Sequence, residues 1–223
     1  MDPITRAMFM GAAGAARAGL PNIGDFYEGG YFAGLISHTA DGNATHGLIV
    51  APAASGYNGK SLLEWKTSNS STPGTSSAYD GAANTANMAN ANHPAANYCA
   101  GLSIGGYSDW YLPAIAELEI AYYNLKPTTT SNDTDYGGNP YAVPQRGSNY
   151  TAGDPAQTSV AAFQSGGAEA FALDYYGEPL GPHWSSTEVS STTAWFLLFN
   201  DGVQGDDGKE LELYVRAFRK FAL

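Results

Sequence analysis

The sequence predicts a mixed α+β fold, with strands near both ends of the chain and helices between them. Apolar β-like segments begin at Tyr31, apolar residues at helical spacing fill the region from Asp80 to Leu125, and a β pattern with alternating residues returns after His183. Because both flanking regions are β, we expect the terminal strands to pair with each other.

The first β region is predicted to form a hairpin. The segments YFAGLIS (31–37) and HGLIVAP (46–52) flank the turn-forming pair Asp41-Gly42. The Ser-, Thr- and Gly-rich stretch that follows, residues 61–81, is predicted to be a loop.

Three helical segments are predicted next. Residues 82–91 are rich in Ala, and Pro94 suits the first turn of a second helix. Spacings of three and four place four residues of that second helix on one face: Ala95, Tyr98, Cys99 and Leu102. Pro113 is expected to open a third helix, whose apolar stripe is Ile115, Leu118, Tyr122 and Leu125.

Residues 126–182 are predicted to be mostly irregular, with one short helix near 156–164; long loops of this kind are usually functional or disordered. After them, Trp195, Leu197 and Phe199 alternate with Phe196, Leu198 and Asn200. The pairs Asp201-Gly202 and Asp207-Gly208 are predicted turns. A single last strand is expected to carry Leu211, Leu213, Val215 and Ala217 on one face.

Composition excludes several classes of partner. Charged residues make up 14% of the 223 residues and the net charge is −11, so a basic surface for nucleic acid or anionic membranes is not expected. No apolar run approaches the roughly 20 residues of a membrane helix. Asp2 and the weakly apolar Ala/Gly run argue against a signal peptide. Cys99 is alone, which excludes an intrachain disulfide and a cysteine-based zinc site.

Motifs for catalysis and metal binding are missing from the sequence. The histidines show no metal-binding spacing, and there is neither a GxSxG nucleophile motif nor a phosphate loop. Asp206 and Asp207, near Asp201 and Glu210, could supply calcium ligands, but a solvated turn is the favoured interpretation. We therefore expect no enzyme activity, no cofactor and no metal.

Aromatic residues are the remaining signal. For Trp110 and Trp195 core packing is the favoured interpretation. Six tyrosines in loop-like sequence fit surface recognition and local loop packing equally well: Tyr107, Tyr136, Tyr141, Tyr150, Tyr175 and Tyr176.

Two long ordered motifs are more specific than any of these patterns. They are GYSDWYLPAIAEL within residues 98–125, and WSSTE with its downstream AW, F, G and VRAFR within residues 183–220. The chain, from about residue 29 to its end, resembles the Lcl C-terminal-like family. This resemblance implies a C-type lectin-like fold over residues 23–223, with two main helices, paired terminal strands, a small second sheet and long loops. Its structural motif residues would be Trp110, Pro113, Trp184, Trp195, Phe199 and Arg216.

The resemblance extends to versions carried by tailed bacteriophages. It implies a non-enzymatic virion protein, a tail fibre or tail-tip receptor-binding protein that adheres to a host surface glycan or protein and is extracellular after host lysis. Residues 1–22 would attach to other virion proteins, and a homotrimer is expected. The alternatives are a decoration or connector protein without a receptor role, and a secreted bacterial adhesin or hydrolase.

The resemblance also suggests a ligand surface near the final strands. The residues carried over are Glu188, Phe196, Leu198, Asn200, Gln204, Asp206 and Asp207. For Phe196 and Leu198, an exposed anchor, an oligomer interface and buried core all remain open. The calcium-dependent sugar-binding motifs of C-type lectins are missing, as is the cysteine pair of formylglycine-generating enzymes, so neither activity is expected.

Overall fold

A computed structural model describes residues 19–223, so most of the predicted attachment segment, residues 1–22, lies outside the described residues. The fold is α+β, as predicted. Its strands are β1 (Phe26–Tyr27), β2 (Gly30–Ile36), β3 (His46–Val50), β4 (Leu62–Glu64), β5 (Ala142–Val143), β6 (Asp174–Tyr175), β7 (Glu178–Pro179), β8 (Pro182–Glu188), β9 (Thr193–Leu198), β10 (Gln204–Gly208), β11 (Glu212–Tyr214) and β12 (Phe218–Ala222). Its helices are α1 (Ala53–Gly56), α2 (Gly81–Ala86), α3 (Pro94–Ala100) and α4 (Ile115–Leu125).

The first sheet joins the two ends of the described chain. Its order is β1-β2-β3-β12, with β5 beside β2. The predicted hairpin is β2 and β3, and the last strand pairs antiparallel with β3, so that Phe218 lies opposite Val50. Pairing of the N-terminal and C-terminal strands is therefore confirmed.

The second sheet has five strands in the order β10-β9-β8-β11-β4, so it is larger than the small sheet expected. The expected single last strand is wrong. The chain leaves β11 in this sheet, crosses through residues 215–217, and enters β12 in the first sheet. Leu213 is buried while Leu211 is 43% exposed, because Leu211 lies in the turn before β11.

Helix α4 packs between the two sheets. Pro113 precedes it by two residues, and its predicted apolar stripe is buried. Glu117 and Glu119 are buried as well, so α4 is enclosed on nearly every side rather than amphipathic. Glu117 accepts hydrogen bonds from the backbone N–H of Ala114 at 2.8 Å and from the Tyr111 hydroxyl at 2.8 Å, which satisfies a carboxyl group at the helix start.

The other helices are shorter than the sequence suggests. Helix α2 ends at Ala86 instead of Ala91, and its N-cap residue Asp80 accepts a hydrogen bond from the Ala83 N–H at 3.0 Å. Helix α3 begins at Pro94 as predicted. Its buried face includes Ala95 and Cys99, whereas Tyr98 and Leu102 are only partly buried.

The long segment 126–182 is mostly irregular, as predicted, but it is well packed. A single 3₁₀ turn at Ala161–Phe163 replaces the expected helix at 156–164. Asn132 fixes part of the segment, since its Oδ1 accepts from Lys126 Nζ at 2.6 Å and its Nδ2 donates to the Pro155 carbonyl at 2.9 Å. The loop is therefore held by buried side-chain hydrogen bonds instead of regular secondary structure.

One of the two predicted Asp-Gly turns is confirmed. Asp201-Gly202 forms the turn between β9 and β10, with Gly202 at φ +84°. Asp207-Gly208 instead belongs to β10, and the turn follows at Lys209. Among residues 19–223, no helix is long and apolar enough to cross a bilayer.

Candidate functional site

The register of β9 and β10 divides the sequence-predicted ligand residues between two faces of the second sheet. Phe196 lies opposite Gly205, whereas Trp195 lies opposite Asp206 and Leu197 opposite Gln204. Directly opposed residues of an antiparallel pair project to the same face, and successive residues alternate. Phe196 and Asp207 therefore share one face, and Gln204 and Asp206 share the face that looks toward α4. We call the first the outer face, although Ala194, opposite Asp207 on it, is buried.

The outer face carries two neighbouring aromatic side chains, Trp184 and Phe196. Trp184 lies opposite Phe196, is almost fully buried, and donates its indole N–H to the Leu63 carbonyl at 3.0 Å. Phe196 is half-buried, and its ring lies over Gly205. A Cβ atom at Gly205 would come within 2.8 Å of this ring, so glycine leaves the space that the ring occupies. Asp207, next along this face, is exposed. The sheet thus presents a partly covered aromatic ring beside an exposed carboxylate.

A small hairpin, β6–β7, extends this surface. Tyr175 packs against the same apolar cluster as Phe196 and donates its hydroxyl to the Glu212 carbonyl at 3.3 Å. Tyr176 stands at the tip of the hairpin, 77% exposed and at φ +52°. An exposed bulky aromatic in the left-handed region is uncommon in proteins and is worth a functional hypothesis.

The charge around the hairpin is negative. Burial raises the pKa of Tyr175, and the nearby carboxylates of Asp207 and Glu212 raise it further. Asp174 and Glu178 on the hairpin are exposed too. Lys209, which follows β10, is fully buried in an ion pair with Glu188 and does not neutralise this surface. The outer face is suited to a neutral or cationic ligand and disfavours an anionic one.

Glu188, one of the predicted ligand residues, is part of an internal network. Its Oε1 pairs with Lys209 and accepts from the Thr72 N–H at 2.9 Å, while its Oε2 accepts from the Thr75 hydroxyl at 3.0 Å. The ammonium of Lys209 also lies 4.8 Å from the ring of Trp65. These contacts connect the loop before α2 to the second sheet, which gives Glu188 a structural role.

Leu198 and Asn200 belong to the end of β9 and the turn after it. Both are half-buried. The Asn200 carbonyl accepts a hydrogen bond from the Thr128 hydroxyl at 2.7 Å. By register Leu198 shares the face of Phe196, two residues further along β9, whereas Asn200 lies in the turn beyond the strand.

The GYSDW motif forms a cross-link to the last strand. Asp109 accepts from Arg219 Nε at 2.5 Å, and the Arg219 guanidinium stacks 3.7 Å from the centroid of Tyr107. Trp110 is buried, as predicted, and its indole N–H donates to the Tyr107 carbonyl at 3.1 Å. Glu28 completes the cluster by accepting from Arg219 Nη1 at 2.8 Å. The motif thus joins the N-terminal and C-terminal parts of the chain.

Arg216 has a comparable role in the interior. It is fully buried, donates to the Ala51 carbonyl at 2.9 Å and pairs with Glu169 at 2.8 Å. Its guanidinium lies 5.1 Å from the ring of Tyr57, and Tyr57 in turn hydrogen-bonds His183. Of the remaining motif residues, Pro113 and Phe199 are buried and Trp195 is half-buried.

The titratable groups that could do chemistry are largely enclosed. Cys99 is fully buried, and burial raises the pKa of its thiol well above the usual range. Burial lowers the pKa of His183 to about 3. Within residues 19–223, no group of three or more His, Cys, Asp or Glu side chains could hold a metal ion.

The structure distributes the loop tyrosines between packing and exposure. Tyr150 is buried and donates to Glu119 at 2.7 Å, and Tyr141 stacks on Tyr79 with ring centroids 4.5 Å apart. Tyr176 is the most exposed of the six. Sequence reasoning singled out Tyr175 and Tyr176 but could not place them beside Phe196, since that proximity depends on the path of the 126–182 segment.

Comparisons with known proteins agree with the motifs. The model of the Lcl C-terminal domain matches residues 57–219, which includes both the GYSDW and the WSSTE motif. No curated protein matches the chain significantly. The matched region spans most of the chain, from Tyr57 to Arg219. The chain therefore belongs to the Lcl C-terminal domain family.

Proposed function

We propose that this protein is a non-enzymatic adhesion protein that binds a host cell surface through the outer face of the second sheet. The observation that carries the proposal is the aromatic surface formed by Phe196, Tyr175 and Tyr176. Exposed tyrosines supply a large contact area at low cost in side-chain entropy, and such residues dominate recognition surfaces.

The context we propose is the virion of a tailed bacteriophage, with the domain displayed at a tail fibre or tail tip. The support is the resemblance of the 31–52 hairpin and the 143–171 stretch to phage-carried versions of this family. In this proposal the scaffold is a C-type lectin-like fold, residues 1–22 bind other virion proteins, and the protein forms a homotrimer. Display in several copies would raise weak single-site binding to useful avidity.

A cell-binding assay with the purified full chain tests the proposal. We expect Tyr176→Asn, which keeps a residue tolerant of positive φ, to weaken binding to permissive bacteria at least about tenfold without changing thermal stability. Phe26→Ser is the matched control, because Phe26 is 64% exposed but lies on β1 of the first sheet.

Two results would count against adhesion. One is unchanged binding by Tyr176→Asn and Phe196→Ser; the other is the lack of binding to any permissive host. If the protein is then found on the virion away from its tail and fibres, a decoration or connector role replaces the receptor role. A processed N-terminus on a secreted cellular protein would instead favour a bacterial adhesin.

A further inference from the structure

A cavity lies at the other face of the same sheet edge. It has a volume of about 130 Å³ and opens between the N-terminal half of α4, the loop at 138–141 and Gln204 of β10. Gln204 projects to this face, and Trp195 and Asp206 lie one residue pair further along it. The cavity is thus separate from the outer face of Phe196 and Tyr176.

The walls of the cavity are amphipathic. Ala78, Ile115 and Ala116 form an apolar side. Tyr141 forms an aromatic side, and its ring is held in place by stacking on Tyr79. A ligand with one apolar face and a polar edge would match both kinds of wall.

Some polar side chains that line the cavity have donors and acceptors available to a ligand. The amide of Gln204 and the hydroxyl of Tyr141 make no side-chain hydrogen bond within residues 19–223. Glu119 accepts from Tyr150, Asn139 and Arg146, so both oxygens of its buried carboxylate are bound by partners within the protein. The site therefore offers a ligand an amide donor and acceptor from Gln204 and a hydroxyl from Tyr141.

The charge of the cavity is balanced. Arg146 pairs with Glu119, which is the sole charged side chain among the residues that form the cavity wall. An anionic ligand would find no free cation there, and a cationic ligand would compete with Arg146 for the carboxylate. The electrostatics favour a neutral polar ligand.

From the shape, the polar groups and the charge, we infer that this cavity binds one neutral sugar unit of a glycan. The volume is far below that of a pocket for a drug-sized molecule but is comparable to a single hexose ring. A further unit of the glycan would lie against the half-exposed indole of Trp195. The inference extends the proposed adhesion function, but it concerns a different set of residues.

Saturation-transfer NMR and calorimetry with the purified full chain and a panel of neutral hexoses and N-acetylhexosamines test the inference. We expect one member to bind with a dissociation constant on the order of millimolar, as suits a small ligand. Ala78→Leu, which fills the cavity, should abolish this binding, and Gln204→Ala should weaken it about tenfold. Phe26→Ser, on β1 of the first sheet, is the control and should bind the sugar as the wild type does.

The inference is overturned if no neutral sugar binds at concentrations on the order of 10 mM, or if Ala78→Leu binds as tightly as the wild type. Preferential binding of sialylated or sulfated sugars would overturn the neutral class. The proposed adhesion function fails separately, by loss of cell binding in the wild type. If the protein binds cells through Tyr176 but binds no sugar, the adhesion function stands and the inference that the cavity binds a sugar is refuted.

Discussion

The guanidinium of the fully buried Arg216 donates to the carboxylate of Glu169 at 2.8 Å, and this pair joins the C-terminal crossover to the long loop. Glu169 also accepts from the Ala53 N–H at 2.7 Å, so the carboxylate connects a third element, α1. Arg216 lies in the connection from β11 of the second sheet to β12 of the first, and Glu169 lies in the long loop. The pair therefore links both sheets to that loop.

Arg216→Met should strongly destabilise the protein. Removal of one partner leaves Glu169 buried and unpaired, which typically costs about 3–5 kcal/mol. Urea denaturation of the variant measures the loss. The double variant with Glu169→Gln should recover part of it, because no uncompensated charge remains. Equal stability of Arg216→Met and the wild type would show that the pair contributes nothing to the fold.

Glu188→Gln should act on stability and not on ligand binding. Lys209 is fully buried, and the amide would leave its ammonium without a counter-charge, at a cost of about 3 kcal/mol. Thermal denaturation checks this against Glu210→Gln, since Glu210 is exposed and accepts from Asn69 at 2.8 Å. A stable Glu188→Gln protein with reduced cell binding would instead restore Glu188 to the ligand surface.

The free energy of unfolding should decrease as pH falls below about 6.5, the pKa of histidine in an unfolded chain. Burial lowers the pKa of His93 and His38 to about 4, so the unfolded chain binds protons that the folded chain excludes between about pH 6.5 and 4. Glu117 acts in the opposite sense, because burial raises its pKa to about 7.

The contribution of one histidine can be isolated by comparing His93→Gln with the wild type. The variant should lose less stability than the wild type between about pH 6.5 and 5, where carboxylates of ordinary pKa stay largely ionised. Urea denaturation across this range supplies both slopes. Parallel pH profiles for the two proteins would show that His93 is not linked to stability in this way.

Gly202→Ala should be more destabilising than Gly106→Ala. Both glycines have positive φ, at +84° and +86°, so both substitutions incur about 1 kcal/mol of backbone strain. A Cβ at Gly202 would also lie 2.5 Å from the ring of Tyr122 and 2.7 Å from that of Tyr150, whereas nothing lies within 4 Å at Gly106. We expect an additional loss of about 1–3 kcal/mol at Gly202 from overpacking. Equal melting temperatures for the two variants would contradict this.

Several features of the fold follow from local sequence. Apolar segments around the Asp41-Gly42 turn predict β2 and β3, alternation predicts β9, and Pro94 marks the start of α3. These signals are local, because turn residues, side-chain periodicity and the fixed φ of proline act over a few residues. The GYSDW and WSSTE motifs identify the family, since long ordered motifs carry far more information than composition. The burial of Cys99 is also predicted, from its place on the apolar face of a helix.

The tertiary structure alone decided how the candidate residues are grouped. Strand register places Phe196 and Asp207 on one face and Gln204 and Asp206 on the other. A shift of β10 by one residue would exchange the faces of its three residues relative to Phe196. Contacts between distant residues pair Glu188 with the buried Lys209 and place the Tyr175–Tyr176 hairpin near Asp207. The sequence by itself determined the family and several of the elements, through motifs and short-range periodicity. The grouping of the candidate binding residues was decided by pairings between residues distant in the chain, which no local pattern encodes.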